Sequence, residues 1–339
     1  MNKHLLLTGG AGFIGHHTVE GVLKNTDWNI TILDRLTYAG DLNRLVDLDC
    51  WEKEFRRVRF LYHDFRAPIN LGLAHSIESK DIFGPVDYII HMGAESHVDR
   101  SIADPMPFVE SNVVGTVNML NFARQIEPQK MIYVSTDETV GPMIDGHLHG
   151  EGDPHKPGNP YSASKAAAED FCMAFYNTYG TPVLITRTMN NFGERQDIEK
   201  FVPKTMRSIL TKQPVIIHVK KDKEGNVVDI SSRCWLHARN HADALLFLLK
   251  RGTPGERYNV AGELKNVAEM ANMIGGFMGY DTISIDYQDF HSFRPGHDMA
   301  YGLNGDKMKL LGWTPPFGLN ESLQKTIEWT INHKKWLNL

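Results

Sequence analysis

The sequence predicts an α/β fold: a doubly wound parallel sheet with a smaller C-terminal α/β lobe. Three observations carry this expectation. Apolar, β-rich runs alternate with helix-like stretches through the first half of the chain. A glycine-rich turn follows the first of those runs and opens the first helix. The 339 residues also exceed the roughly 250–300 that one core usually fills, so a second lobe must house the remainder.

Leu5–Thr8 is a short apolar strand, and Phe13–Leu23 reads as the helix beyond the glycines. Asn29–Leu33 and Val58–Tyr62 are β-rich, and Tyr88–His91 and Met131–Val134 are two more apolar runs. Helix-like stretches lie between, notably Phe108–Arg124 and Ser162–Tyr179, and Val183–Thr186 is a further strand. The rhythm implies parallel pairing in a Rossmann-like sheet over residues 1–190. After about residue 190 it weakens. Asp197–Lys212 looks helical and Val215–Val219 strand-like, and charged Lys220–Asp229 reads as a surface hairpin or loop. Asn240–Lys250, Val267–Met278 and Asn320–Lys334 read as helices and Arg257–Val260 as a strand. Residues 191–339 are assigned mainly to the second, ligand-binding lobe, with some segments returning to the large domain. That lobe is expected at the carboxyl edge of the sheet, where open α/β folds bind ligands.

The composition is that of an ordinary globular protein, 42% hydrophobic and 23% charged. A net charge of −5 leaves no basic footprint for nucleic acid, so an anionic ligand must be met by local cations. The three cysteines, Cys50, Cys172 and Cys234, are far apart and form no C-x-x-C, which fits a reducing cytoplasm. The N-terminal apolar run is too short for a signal peptide, and no stretch approaches the ~20 apolar residues of a membrane span. Sixteen histidines include His147, His149 and His155 in one loop and His237 and His241 at helical spacing. With no H-E-x-x-H and no cysteine partner, no metal is expected. Trp329, Trp336 and Leu337 near the C-terminus read as core or interface packing.

The turn Thr8-Gly9-Gly10-Ala11-Gly12-Phe13-Ile14-Gly15 satisfies G-x-G-x-x-G with Gly10, Gly12 and Gly15, and the wider G-x-x-G-x-x-G with Gly9, Gly12 and Gly15. Glycines there permit a tight turn and close backbone approach to a pyrophosphate at a helix N-terminus. Asp34 ends the second strand, nineteen positions after Gly15, where a carboxylate accepts hydrogen bonds from adenosine ribose hydroxyls and favours NAD. Arg35 beside it could attract a 2′-phosphate, which leaves NADP open.

Tyr161-Ser162-Ala163-Ser164-Lys165 has Y-x-x-x-K spacing, which places phenol and amine on one helix face. A nearby ammonium favours the phenolate, so the tyrosine pKa is expected to fall from ~10. Pro160 suits the first helical position. An isolated Y-x-x-x-K is usually an ordinary amphipathic helix. Here a glycine loop precedes it, and Ser135 and Thr136 follow an apolar strand where a hydroxyl partner is needed. That combination marks the short-chain dehydrogenase/reductase superfamily. Asp137 and Glu138 come directly after Thr136, at a strand's carboxyl end. A plain oxidoreductase needs no such pair, so two carboxyls point to added acid–base chemistry, one protonated and one ionised.

Here the chain resembles the dTDP-glucose 4,6-dehydratase family. The likeness rests on Thr8–Gly15, Leu33–Gly40, His91–Ser101, Val134–Glu138, Tyr161–Lys165, Asn190–Gly193, Arg233–His237 and Arg294–Asp298, in the family's order along nearly the whole chain. The resemblance implies that Tyr161, with Lys165 and Thr136, oxidises the sugar C4 hydroxyl, passing hydride to NAD. Glu138 removes the C5 proton and Asp137 protonates the departing C6 hydroxyl. Hydride returned to C6 then leaves a 4-keto-6-deoxy sugar nucleotide. It also implies cofactor contacts at Gly9, Gly12, Phe13, Ile14, Gly15, Asp34, Arg35, Thr37, Asp64, Phe65, Met92, Gly93, Ala94 and Asn190, besides Tyr161 and Lys165. Substrate contacts are implied at Ser96, Thr136, Asn191, Lys200, Arg233, Asn259, Arg294 and His297, with Arg233 and Arg294 as diphosphate clamps. A homodimer through helices Phe108–Arg124 and Ser162–Tyr179 is a further family expectation.

The chain departs from the family pattern in three places. Thr139-Val140-Gly141 replaces Val-Tyr-Gly. Asp145–Asn159 is short and rich in His, Gly and Pro, and is read as a different lid over the sugar. Lys220–Ser232 is longer and more charged than usual, Cys234 replaces an aspartate, and that region is expected near the nucleotide base. These differences leave the base and the hexose open. The alternatives are an epimerase or decarboxylase, a 5,6-dehydratase, and a non-catalytic NAD-binding protein. The first group generally lacks an acid where Asp137 stands, and GDP-mannose dehydratases carry a serine there. Non-catalytic relatives usually lose Tyr161 or Lys165.

Overall fold

The computed structural model describes residues 2–289 and 299–339. Its strands are β1 His4–Thr8, β2 Asn29–Asp34, β3 Val58–Tyr62, β4 Tyr88–His91, β5 Lys130–Thr136, β6 Val183–Thr188, β7 Asn190–Phe192, β8 Val215–Lys221, β9 Val227–Ile230, β10 Ser232–His237, β11 Arg257–Val260, β12 Glu263–Asn266 and β13 Ile285–Asp289. Seven form one parallel sheet in the order β11-β6-β5-β4-β1-β2-β3. The chain leaves β1 in one direction through β2 and β3, then crosses back to β4. The crevice between β1 and β4 is therefore a topological switch point, where open sheets of this kind take ligands.

Strands β1, β4 and β6 are buried along their whole length, which is why they read as continuous apolar runs. Alternate residues serve opposite faces. Leu5 and Leu7 join the core under helices Phe13–Asn25 and Ala238–Arg251, while Leu6 faces the core under Gly115–Ile126 and Pro160–Tyr179. Helix Ala238–Arg251 and β11 thus complete the large sheet from late in the chain.

The second lobe has two three-stranded sheets, β12-β10-β7 and β13-β8-β9. Its own core gathers Val202, Met206, Ile217, Trp235, Met270 and Leu323. Lys220–Asp229 forms the turn and returning strand of the antiparallel hairpin β8–β9. Two expected helices are shorter or broken. Asp197–Lys212 is helical only over Phe201–Leu210, and Phe108–Arg124 contains a π-helical segment, Val109–Val114. Such segments cluster at functional sites. Here it turns Asn112 toward Glu95 and Ser164: Asn112 Nδ2 donates to Glu95 O at 3.0 Å and to Ser164 Oγ at 2.9 Å, and Asn112 Oδ1 accepts from Glu95 N at 2.8 Å.

Candidate active site

The glycine turn after β1 is packed too tightly for side chains. Gly9 has φ +73°, and a Cβ there would stand 2.9 Å from Gly93 Cα. A Cβ on Gly15 would stand 2.0 Å from Gly9 O. No side chain caps the helix that begins at Phe13, so its first N–H groups face the crevice available to an anion. Gly15→Ala is therefore expected to weaken dinucleotide binding on the order of tenfold or more, read by fluorescence quenching with NAD. Wild-type affinity in that variant would contradict the cradle.

Asp34 closes the far side of the turn. Its Oδ2 accepts from Ala11 N at 3.0 Å and its Oδ1 from Leu36 N at 2.8 Å, which fixes the carboxylate at the end of β2. Arg35 is drawn elsewhere: Nη2 donates to Glu95 at 2.6 Å and Nη1 to Asp64 at 3.2 Å. Two carboxylates thus already engage the guanidinium that left a 2′-phosphate open. Asp64 is also held by Arg66 at 2.7 Å and does not line the cavity. The other twelve residues read as cofactor contacts in this half do line it: the three glycines with Phe13 and Ile14, then Asp34, Arg35, Thr37, Phe65, Met92, Gly93 and Ala94.

The same cavity, about 500 Å³, runs on to the end of β5 and the start of helix Pro160–Tyr179, and takes in Asn190. Asn159 caps that helix, with its Oδ1 accepting from Ser162 N at 2.9 Å, and Pro160 occupies the first turn. Tyr161 follows, its N–H donating to Ser101 Oγ at 3.1 Å. Lys165 is buried one turn on. Its Nζ donates to Val134 O at 2.7 Å and lies 4.3 Å from the centre of the Tyr133 ring. Burial lowers the lysine pKa to about 8. The Tyr161 phenol departs from expectation: burial, and then the Glu138 charge, push its pKa up, with the Thr136 hydroxyl opposing. Burial outweighs the hydroxyl, and the charges of Glu138 and Asp137 act on the phenol in the same direction.

Thr136 Oγ1 donates to Asp137 Oδ1 at 3.0 Å. Asp137 is only 4% exposed, and its Oδ2 has no hydrogen-bond partner among the described residues. Burial, and next the Glu138 charge, raise its pKa to about 7. Glu138 is partly exposed and accepts from Asn159 Nδ2 at 3.2 Å. The helix cap therefore also fixes one of the two acids. The pair has the divided character expected of acid and base: one buried, with a pKa raised into the neutral range, the other wetter.

Beneath this turn lies a bracing cluster that the sequence reading did not single out. Glu169 is fully buried, one helical turn beyond Lys165. It accepts from Arg187 Nη2 on β6 at 2.9 Å, from Thr139 Oγ1 at 3.2 Å and from Arg257 Nε on β11 at 3.3 Å. His155 Nε2 lies 3.1 Å away. Burial alone would raise the carboxyl pKa, but hydrogen bonds from His155 and Arg187, and the Arg187 charge, hold it at about 2. The only sequence signal was an acid at eight-residue spacing from Tyr161. Asn159, immediately before Pro-Tyr, carried a readable cap signature.

On the substrate side, Ser96, Asn191, Lys200 and Arg233 line the cavity with Thr136. Arg233 donates to Ser232 O at 2.8 Å and Met299 O at 2.6 Å and stacks on Tyr301, 4.9 Å from its centre. Lys200 Nζ lies 3.2 Å from Glu199. Asn259 is placed elsewhere. It is fully buried, and its Nδ2 donates to His149 O at 2.9 Å and Asn304 O at 3.1 Å. Arg294 and His297 lie outside the described residues. Neither Lys220–Ser232 nor Asp145–Asn159 contributes to the described cavity wall, so the base and lid roles expected of them find no support there.

Comparison with known proteins gives a consistent picture. A family model described as GDP-mannose 4,6 dehydratase matches residues 6–326. A probable dTDP-glucose 4,6-dehydratase of Sinorhizobium fredii is 37% identical, covering 98% of this chain and 94% of the relative. The crystal structure of dTDP-glucose 4,6-dehydratase from Bacillus anthracis in complex with NAD is similar at TM-score 0.85 and 31% identity, with 98% of both chains covered. That of the Streptomyces venezuelae enzyme, also with NAD bound, is similar at TM-score 0.84 and 33% identity over the same share of each chain.

Proposed function

This chain belongs to the dTDP-glucose 4,6-dehydratase family, and from that premise we propose that it is an NAD-dependent hydro-lyase converting dTDP-glucose to the 4-keto-6-deoxy sugar nucleotide. The observation that carries the reading is Asp137, a buried acid with a raised pKa beside Glu138, in the cavity that also holds Tyr161 and Lys165. The glycine cradle and the Asp34 carboxylate fit the pyrophosphate and ribose of NAD, and Arg35, engaged by two carboxylates, favours NAD over its 2′-phosphorylated form. When bound, NAD supplies a reversible two-electron acceptor.

The chain's own residues do the rest. Tyr161 accepts the C4 hydroxyl proton, with Lys165 and Thr136 beside it. A C4 ketone makes the C5 proton removable, and Glu138, held by Asn159, takes it. Asp137, whose raised pKa keeps part of it protonated near neutrality, gives its proton to the departing C6 hydroxyl. Ser96, Asn191, Lys200 and Arg233 orient the sugar and its diphosphate, with Arg294 and His297 as further substrate contacts.

Two expected results follow. With Asp137 as the acid, kcat declines as pH rises through about 7, because the proton it must deliver is then lost. A profile level from pH 6 to 9 would contradict that role. Glu138→Gln in D2O is expected to cut deuterium entry at C5 by about 10²–10⁴-fold while C4 oxidation of the sugar persists. Exchange at the native rate would remove Glu138 as the base.

We also propose a cytoplasmic homodimer. The three free cysteines suit a reducing compartment, and no helix among the described residues is long and apolar enough to cross a membrane. Val109, Val114, Phe171, Tyr176 and Tyr179 expose apolar surface on the two helical stretches through which family dimers form.

A further inference from the structure

The loop between the acid turn and the catalytic helix brings three donors together away from the cavity. His147 Nε2 lies 3.0 Å, and His149 Nδ1 2.8 Å, from the same oxygen, Asp153 Oδ2. The three ligand atoms all stand within 4.8 Å of one another, and the two imidazoles are perpendicular. His149 Nε2 is 3.0 Å from Pro142 O. A carbonyl oxygen only accepts, so Nε2 carries the proton. A neutral His149 therefore turns the bare lone pair of Nδ1 toward a carboxylate. Two acceptors at that distance repel unless a cation stands between them, either a second ring proton or a metal ion. Donating the remote ring N–H to a backbone carbonyl is also how metal-ligating histidines are usually fixed. The lack of an H-E-x-x-H motif and of a cysteine partner speaks against a metal in the sequence, but Asp153, four residues beyond His149, supplies the third donor.

We infer that His147, His149 and Asp153 form a surface site for a divalent transition metal of the zinc type, with solvent as the remaining ligand. Imidazole and carboxylate suit Zn²⁺ and its neighbours rather than Mg²⁺ or Ca²⁺. Bonds of about 2.0–2.2 Å separate tetrahedral ligand atoms by about 3.3 Å, so the Asp153 carboxylate, 30% exposed, retreats by only a few tenths of an ångström. His155 takes no part, since it faces Glu169 and Asp170.

The backbone around the site is stitched to the segment 300–304. His149 N donates to Gly302 O at 3.0 Å, His149 O accepts from Asn304 N at 2.8 Å, and Met143 N donates to Ala300 O at 2.8 Å. Tyr301, within that partner segment, lines the catalytic cavity and carries the Arg233 guanidinium on its ring. An ion here fastens the loop's own turns together, and the backbone bonds link that loop to the back of the substrate wall.

The test uses tag-free, chelator-stripped enzyme titrated with ZnCl₂ by calorimetry and with Co²⁺ by visible absorption. One equivalent is expected to bind with micromolar or tighter affinity, giving a nitrogen-liganded Co²⁺ spectrum. Zn²⁺ at a hundredfold excess over Kd is expected to raise the unfolding midpoint by a few degrees. Asp153→Asn and His149→Gln should each weaken binding at least tenfold and abolish the midpoint shift, while His155→Gln binds as wild type. Absence of saturable binding overturns the site. So does equal binding by all the variants, which would mark adventitious ions on surface histidines only. Binding with no midpoint shift in the wild type overturns the fastening role.

Discussion

Tyr161→Phe is expected to lower turnover of dTDP-glucose about a thousandfold while leaving NAD affinity within a factor of two. The phenol lines the cavity at the start of helix Pro160–Tyr179 and is the proposed acceptor of the hydroxyl proton; positioned acid–base groups of this kind contribute roughly 10²–10⁴-fold. The substitution keeps the ring and its edge-on contact with Phe108 at 6.3 Å, and the Tyr161 N–H bond to Ser101 is unaffected. The glycine cradle lies on another strand and remains whole. The raised pKa of the free phenol makes the loss instructive, since substrate and cofactor must bring the proton affinity down before transfer. Steady-state rates with a parallel NAD titration check this. Turnover within tenfold of wild type would remove Tyr161 as the base.

Glu169→Gln is expected to destabilise the protein by about 3–5 kcal/mol, the usual effect of removing one partner of a buried ion pair. Arg187 is 1% exposed and would be left charged without its carboxylate. Glutamine keeps a single acceptor oxygen, so either Thr139, which donates to Oε1, or Arg257, which donates to Oε2, loses its partner, and the acid turn or the edge strand β11 loosens. The linkage sign follows from the lowered Glu169 pKa. The carboxylate's contribution is present above the unfolded-state value near 4 and is lost as pH falls toward about 2. Denaturant unfolding at pH 7 checks the effect, and a double replacement of Glu169 and Arg187 by methionine should recover much of it, because no buried charge then stands alone. A single glutamine variant as stable as wild type would show that the cluster does not brace the fold.

What could be read in the sequence was what is local or strongly periodic. The run Val58–Tyr62 coincides with a strand, and Tyr88–His91 and Arg257–Val260 do so with Gly, Pro or Asp close to both of their ends. The glycine turn, the Tyr–Lys spacing and the acid pair each declare themselves over a few residues; the first and last follow strands whose carboxyl ends face the crevice, and the helix carrying Tyr161 and Lys165 packs against β5. Strands β7, β10, β12 and β13 escape the sequence reading. Strands β7, β12 and β13 are short and largely polar, and each exists through a partner distant in sequence: Asn190–Phe192 pairs with Trp235–His237, and Ile285–Asp289 with Val215–Val219. The π segment escaped for a related reason, since its register follows the tertiary bonds of Asn112 rather than local propensity. The fall expected for the Tyr161 pKa considered Lys165 alone, whereas burial and Glu138 act on the same phenol. Asn259 fits the family's position for a substrate contact, yet it is occupied by the carbonyls of His149 and Asn304.

The most direct measurement is the product formed from dTDP-glucose in D2O with catalytic enzyme and NAD, read by mass spectrometry and NMR. The expected product is lighter by one water, carries a C4 ketone and a C6 methyl group, and holds one solvent deuterium at C5, with no net consumption of NAD. A C4 epimer of unchanged mass, or bound NAD with no conversion of the sugar, would contradict the assignment of Asp137 and Glu138 as the acid and base of a dehydration.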